Sequence, residues 1–303
     1  MKLKIPFIFI LLIAFPTLAQ RKKDNLKPTA AQMSSIAAKA RDMKSFPGFF
    51  PYYYDQKQDK IFLVVDKLDV EFLYVHALAA GIGSNDIGLD RGQLGGERIV
   101  KFEKRGQRIL LVEPNYRFRA LTANKAVKQA VEEAFALSVL WGFTIEAEDE
   151  GQKFLVDATD FFIQDVHDVI GTLKSSQQGT FTLDRTRSAF FLERTRNFPR
   201  NSEFEVTLTF TGIPTGSFIR SVAPTPSIVT VREHHSFVEL PDGQFKPRAF
   251  DPRAGYFSLS FYDYASPIAE PIEKKLITRH RLEKKDPSAA ASEPVEPIIY
   301  YLD

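Results

Sequence analysis

A chain of 303 residues with 44% hydrophobic side chains and 27 phenylalanines is long and apolar enough to bury a large core, which excludes intrinsic disorder. Its 40 basic and 38 acidic residues lack the basic excess of a nucleic-acid surface, so nucleic acid is excluded as a partner. Cysteine is absent, so neither disulfides nor a thiol-linked lipid anchor hold the chain and folding rests on core burial.

Residues 1–19 read as a signal peptide: Lys2 and Lys4 precede the apolar run Ile5 to Phe15, and Thr17-Leu18-Ala19 supplies the small residues of a cleavage site. Spanning a bilayer takes ~20 apolar residues, more than this run offers, so no membrane span is expected. The expectation is an exported protein, periplasmic, secreted or at the cell surface. Residues 20–45 form a polar lead-in with a loose helical pattern over Thr29 to Met43.

From residue 46 to 265 the chain reads as one β-rich α+β domain, with mainly antiparallel sheet and two inserted helices. After the aromatic stretch Phe49 to Tyr54, strand signals recur at Ile61 to Val65, Phe72 to Ala77, Ile99 to Lys104 and Ile109 to Glu113. Asn124 is placed to cap a helix over Lys125 to Leu140, and apolar spacing predicts a second over Phe161 to Leu173. In Phe204 to Thr211 apolar and polar residues alternate without a break, which predicts a strand with one buried and one exposed face. Phe257, Leu259 and Phe261 repeat that alternation, with Ser258 and Ser260 outward. Residues 266–297, punctuated by prolines and Ala289-Ala290-Ala291, read as a linker, and 298–303 as the first strand of a further domain.

No catalytic residues can be named from motifs. There is no Gly-x-Ser-x-Gly and no His-Glu-x-x-His. The metal candidates are His234 and His235 in VREHHSFVELPD (231–242), but a strand sends neighbours to opposite faces, so the pair is expected to hold no metal. The expected arrangement is one histidine hydrogen-bonded at a sheet surface and the other solvated. The glycine-rich stretch Gly81 to Gly96 lacks the spacing of a phosphate or calcium loop and reads as a connector between strands. Arg185, Arg187, Arg194, Arg196 and Arg200 sit among acidic residues, so local ion pairing is the default reading.

Several segments together resemble one family: GSNDIGLDRGQLG (83–95), VREHHSFVELPD (231–242), FDPRAGYF (250–257), SFYDYASPIAEPI (260–272) and TRHRLEKKDP…SEPVEPIIYYLD (278–303). They look like the N-terminal region of bacterial secreted zinc-dependent metallopeptidases of the met-zincin type, from about Ser45 to Asp303. In that family a domain of uncharacterised function precedes the catalytic domain, which a strand like IIYYLD opens. The resemblance implies zinc in that further domain, none in this chain, and a parent protein that hydrolyses peptides or proteins.

None of the family's zinc ligands can be placed on a residue here, so the chain is expected to be inactive alone. The function expected is a non-catalytic portion that packs on or regulates the C-terminal zincin domain, with peptide or protein as the parent's substrate. Residues in the resembling segments give the interface or latency candidates His234, His235, Asp251, Arg253, Tyr256, Arg279 and His280. The alternative is a free-standing extracellular β-rich module that binds glycan or peptide through tyrosines such as Tyr52, Tyr53, Tyr54, Tyr256 and Tyr262.

Overall fold

The computed structural model describes residues 35–300; the signal peptide expected over 1–19 lies outside them. Ser35 caps a one-turn helix α1 (Ile36–Lys39), the described part of the helical pattern in the lead-in. Ile36 packs with Phe62, Val64, Ala147 and Leu155. Four strands follow: β1 (Lys44–Phe46), β2 (Tyr52–Asp55), β3 (Lys60–Val65) and β4 (Glu71–Ala80). The connector expected over Gly81 to Gly96 ends earlier, since Leu94, Gly95 and Gly96 already belong to β5 (Leu94–Arg105); β6 (Arg108–Glu113) and the two-residue β7 (Phe118–Arg119) follow.

Helix α2 (Lys125–Ala134) is capped as expected, with the Asn124 side chain accepting from the Ala126 and Val127 amides. It stops at Ala134, not Leu140. From Ser138 the chain is strand β8 (Ser138–Asp149), where Val139, Leu140 and Trp141 follow β preference and Phe135 is already extended. Strand β9 (Lys153–Asp157) returns beside it.

The second expected helix is broken into α3 (Thr159–Phe162) and α4 (Val169–Ser175). Asp168 adopts φ 57°, and Asp165 accepts the Val169 and Ile170 amides at 2.7 and 2.9 Å, so two aspartates end one helix and start the next. Strands β10 (Gly179–Leu183), β11 (Ala189–Phe190) and β12 (Arg196–Asn197) precede the longest strand, β13 (Asn201–Pro214). After α5 (Ser217–Val222) comes β14 (Ile228–Glu239), then β15 (Ser258–Asp263) and β16 (Glu273–Ile277).

Thirteen strands share one antiparallel sheet in the order β1-β2-β3-β9-β8-β6-β5-β4-β14-β13-β10, with β11 and β12 also paired to β13. Register shifts interrupt β4–β5, β4–β14, β6–β8 and β8–β9. Such bulges increase twist and bend the strands, and here the sheet curls until its ends approach. The Phe49 amide donates to the Phe198 carbonyl (2.8 Å), and Asn197 Nδ2 donates to the carbonyls of Phe46 (2.8 Å) and Phe50 (2.9 Å). The result is a near-barrel; its β-rich, mainly antiparallel character is as expected, and its closure was not foreseen.

Phenyl rings fill the enclosed face. Phe50 meets Phe72 at 4.9 Å between centroids, Phe72 meets Phe237 at 5.1 Å, and Phe162 stacks on Phe204 at 4.2 Å. Helix α3 contributes two of these rings from outside the sheet, Phe161 and Phe162, both buried. Phe204, Val206, Leu208 and Phe210 of β13 all face this core, as their alternation predicts. The opposite face of β13 differs from expectation: Glu205 and Thr209 are buried too, and β11 and β12 pair along the edge of that strand.

A separate small sheet runs β16-β15-β7, with β15 parallel to β7. The alternation expected at 257–261 is only partly realised: Phe261 is buried, but Phe257 is 89% and Leu259 60% exposed, because no layer covers that face among the described residues. Strand β16 lies within the interval read as linker. Residues 298–300 are exposed and form no strand, and 301–303 lie outside the described residues. No helix among the described residues is long and apolar enough to cross a membrane.

Candidate functional site

The register of β14 decides what each histidine of the pair meets. His234 stands opposite Glu205 and Ser236 opposite Glu203 on β13, while His235 stands opposite His76 on β4. Side chains alternate faces along a strand, so the pair divides between two polar clusters, one on each side of the sheet.

On the outer face, Glu203, Glu205, Arg232, His234 and Ser236 gather through the i, i+2 spacing of two paired strands. His234 Nε2 is 2.8 Å from Glu203 Oε2, and Nδ1 is 3.1 Å from Glu205 Oε2. Burial disfavours a charge on His234, but hydrogen bonds to both glutamates outweigh it and raise its pKa to about 9. Burial also opposes the Glu203 carboxylate, yet hydrogen bonds from His234, Ser236 and Asn201 hold it below the usual range. The ring is therefore an imidazolium clamp between two carboxylates.

Glu205, with 5% of its side chain exposed, has a second oxygen that differs from the first. Its Oε1 lies 3.3 Å from Arg232 Nη1 as an ion pair but accepts no hydrogen bond. Arg232 is itself fixed, its guanidinium 4.3 Å over the Phe191 ring. These groups form the floor of an open pocket of about 570 Å³ whose rim carries Arg194 and Phe198.

On the inner face, His235 is fully enclosed, which corrects the expectation that one histidine is solvated: the core face of β14 reads Val229, Val231, Glu233, His235, Phe237, and all five are buried. Its Nδ1 is 3.0 Å from Tyr74 Oη. His76 Nε2 accepts from the Gly96 amide (3.2 Å), His167 Nε2 is 3.3 Å from Gln93 Oε1, and the His76 and His167 rings meet edge to face at 5.4 Å. The Glu233 carboxyl faces Asp165 and the amides of Val166 and His167, without hydrogen bonds of good geometry. Burial, then the nearby Asp165 charge, pushes Glu233 up to about 8. Burial first, and neighbouring positive groups second, lower His76 to about 4 and His235 to about 3. At neutral pH the cluster holds a protonated carboxyl and neutral imidazoles. Two sheet irregularities flank it, at Val75/Ala77 and Arg232/Glu233, while His76 and Glu233 keep the inward positions that alternation gives them.

Among the described residues no three His, Asp or Glu side chains converge as a metal centre requires. Both His234 nitrogens are engaged by carboxylates and His235 lies on the other face, so this donor set does not fit zinc and no step through zinc follows from it.

The remaining interface candidates sit apart from both clusters. Asp251 caps the turn at Pro252–Ala254 and pairs with Arg253, with Nη2 to Oδ2 at 2.5 Å. Arg279 donates to the Lys246 carbonyl at 2.7 Å and lies over Phe245. Tyr256 and His280 are exposed. The expected pairing in the arginine cluster is realised in part: Arg185 pairs with Asp160, Arg187 with Asp184 and Arg200 with Glu239.

The sequence singles out none of Glu203, Glu205, Arg232, Tyr74, His76, Asp165, His167 and Glu233 as site residues, although Glu203 and Glu205 count among the acidic neighbours of the arginine cluster. One signal was available: Glu233 and His235 occupy core-facing positions of a strand whose other inward residues are apolar, and buried polar residues in such positions need a reason.

No curated protein and no solved structure matches the chain. Residues 92–285 match the family described as Domain of unknown function (DUF5117). That interval runs from the end of the Gly81–Gly96 connector to beyond β16, holding β13, β14 and both small-sheet strands after β7, and it covers more than half of the sequence. The chain belongs to the DUF5117 family.

Proposed function

We propose that this chain is the non-catalytic N-terminal portion of an exported zinc-dependent metallopeptidase of the met-zincin type, and that it packs on the zincin domain of the same protein. The observation that carries the reading is the concentration of uncovered apolar side chains between residues 256 and 300. Phe257, Leu259, Ile268, Val295 and Ile299 are all at least 60% exposed in a region whose backbone forms only a narrow sheet. An exposed apolar surface of this kind marks an interface, and the segment resembles the approach to a zincin domain. Zinc and the water it activates belong to that domain, and this chain supplies a platform.

The alternative, a free-standing binding module, draws less support. Tyr52 is fully buried and Tyr54 only 7% exposed, so two of the tyrosines it relies on belong to the core. Titrating the chain into a separately expressed zincin domain by calorimetry tests the proposal. Association that weakens at least tenfold in Phe257→Asp is the expected result, and a chain that neither binds the domain nor changes its peptidase activity overturns it.

A further inference from the structure

The irregularity between β4 and β5 puts a histidine where a backbone acceptor would otherwise stand. Val75 pairs with Glu97 and Ala77 with Leu94, so Gly95 and Gly96 together oppose His76 alone. An extra residue interrupts the ladder and leaves a backbone group to be satisfied by other means. Here the Gly96 amide donates to His76 Nε2 at 3.2 Å. The ring lies against Gly95, where a Cβ would overlap it, and meets the His167 ring edge to face at 5.4 Å.

A backbone N–H can only donate, so Nε2 of His76 is bare and the neutral ring carries its proton on Nδ1. That Nδ1 is buried and has no hydrogen-bond partner. A second proton would enter on Nε2, directly against the Gly96 N–H. The groups facing the ring do not balance the imidazolium this forms. Arg98 on β5 is cationic and already paired with Glu113 at 2.8 Å, while His167 in the α3–α4 loop and His235 on β14 repel a further positive charge. Tyr74, on the same strand as His76, is occupied by His235. Glu233 on β14 holds its own proton at neutral pH, and both Asp165 oxygens serve the Val169 and Ile170 amides.

We propose that His76 is an acid-sensitive latch: its neutral ring closes the β4–β5 bulge and holds the 81–93 connector on the sheet, and protonation opens that corner while the rest of the near-barrel stays folded. The connector is fastened at this end by few bonds. The Gly92 amide donates to the Leu78 carbonyl at 2.6 Å, the Leu78 amide to the Gln93 carbonyl at 2.9 Å, and Gln93 Oε1 lies 3.3 Å from His167 Nε2. Burial lowers the pKa of the closed His76 ring to about 4, whereas a solvated ring titrates near 6.5. Closure is therefore complete above 6.5 and weakens as pH falls, by about twentyfold between pH 7 and pH 5 for this one group. The latch uses none of the residues on the proposed docking surface.

Hydrogen exchange of the whole chain at pH 7 and pH 5, corrected for intrinsic rates, tests it. Protection at the Gly92 and Gly96 amides is expected to fall about twentyfold at pH 5, with amides across β13 keeping theirs. His76→Gln keeps an acceptor for Gly96 but takes up no proton, so protection there is expected to change less than about threefold between the two pH values. An equal fall in His76→Gln, an unchanged wild-type chain, or a matching loss across β13 each overturns the latch. The imidazole ¹⁵N shifts of the unaltered chain give a second readout. His76 is expected to protonate in step with the loss of Gly96 protection, and a ring still neutral once that protection is gone overturns the proposal.

Discussion

At the scale of single residues, the two adjacent histidines carry opposite charge states because they face opposite sides of one sheet. His234 gains a proton partner on folding and His235 loses access to one. A histidine whose folded pKa is raised stabilises the fold fully below its unfolded value near 6.5, and that contribution is lost as pH rises through about 9. For His76 and His235, lowered to about 4 and about 3, the sign reverses: their contribution is complete above 6.5 and lost as pH falls. Glu233 adds to the alkaline loss. The unfolded carboxyl releases its proton near 4.5 and the folded one near 8, so the folded state loses ground across that interval, by at most about 1.4 kcal/mol per pH unit. Thermal melts across pH are therefore expected to peak near about pH 6, and Glu233→Gln is expected to flatten the decline between pH 6 and 8. His234→Ala leaves Glu203 and Glu205 without the cation between them, with Arg232 still beside Glu205, and is expected to cost about 3 kcal/mol by denaturant titration at pH 7.

At the scale of elements, legibility followed the reach of the interactions that fix each one. β13 was readable because alternation is local: Phe204, Val206, Leu208 and Phe210 needed only their own spacing to declare a buried face. The α2 start was readable from Asn124, but its end was not, since nothing in Phe135 to Leu140 breaks helical spacing and pairing with β6 decides the strand there. The break between α3 and α4 depends on Asp165 reaching two amides and on the cluster around Glu233, contacts invisible along the chain. Asp165→Ala should accordingly raise hydrogen exchange at the Val169 and Ile170 amides and cost about 1–2 kcal/mol, the scale of a lost helix cap. Unchanged exchange at those amides would remove Asp165 from that role. The candidate site was half legible for the same reason. Opposite faces for His234 and His235 follow from strand geometry alone, whereas Glu203, Glu205 and Arg232 become neighbours of His234 only through the β13–β14 register. A Cβ on Gly95 would overlap the His76 ring, a constraint that likewise exists only once β4 and β5 pair.

At the scale of the molecule, burial is distributed unevenly. The near-barrel encloses its phenyl rings, while the surface around β15 and β16 leaves large apolar side chains uncovered. A residue such as Phe257, 89% exposed, adds nothing to the core, so Phe257→Asp is expected to change stability by no more than about 0.5 kcal/mol while weakening docking at least tenfold. Loss of both would place that side chain in the fold instead. The most direct measurement is hydrogen exchange across Ser258–Ile277, compared between the chain alone and the chain with its zincin domain. The account predicts slowed exchange throughout β15 and β16 when the domain is present, with the outer face of β13 and β14 unchanged; identical exchange in the two states would contradict it.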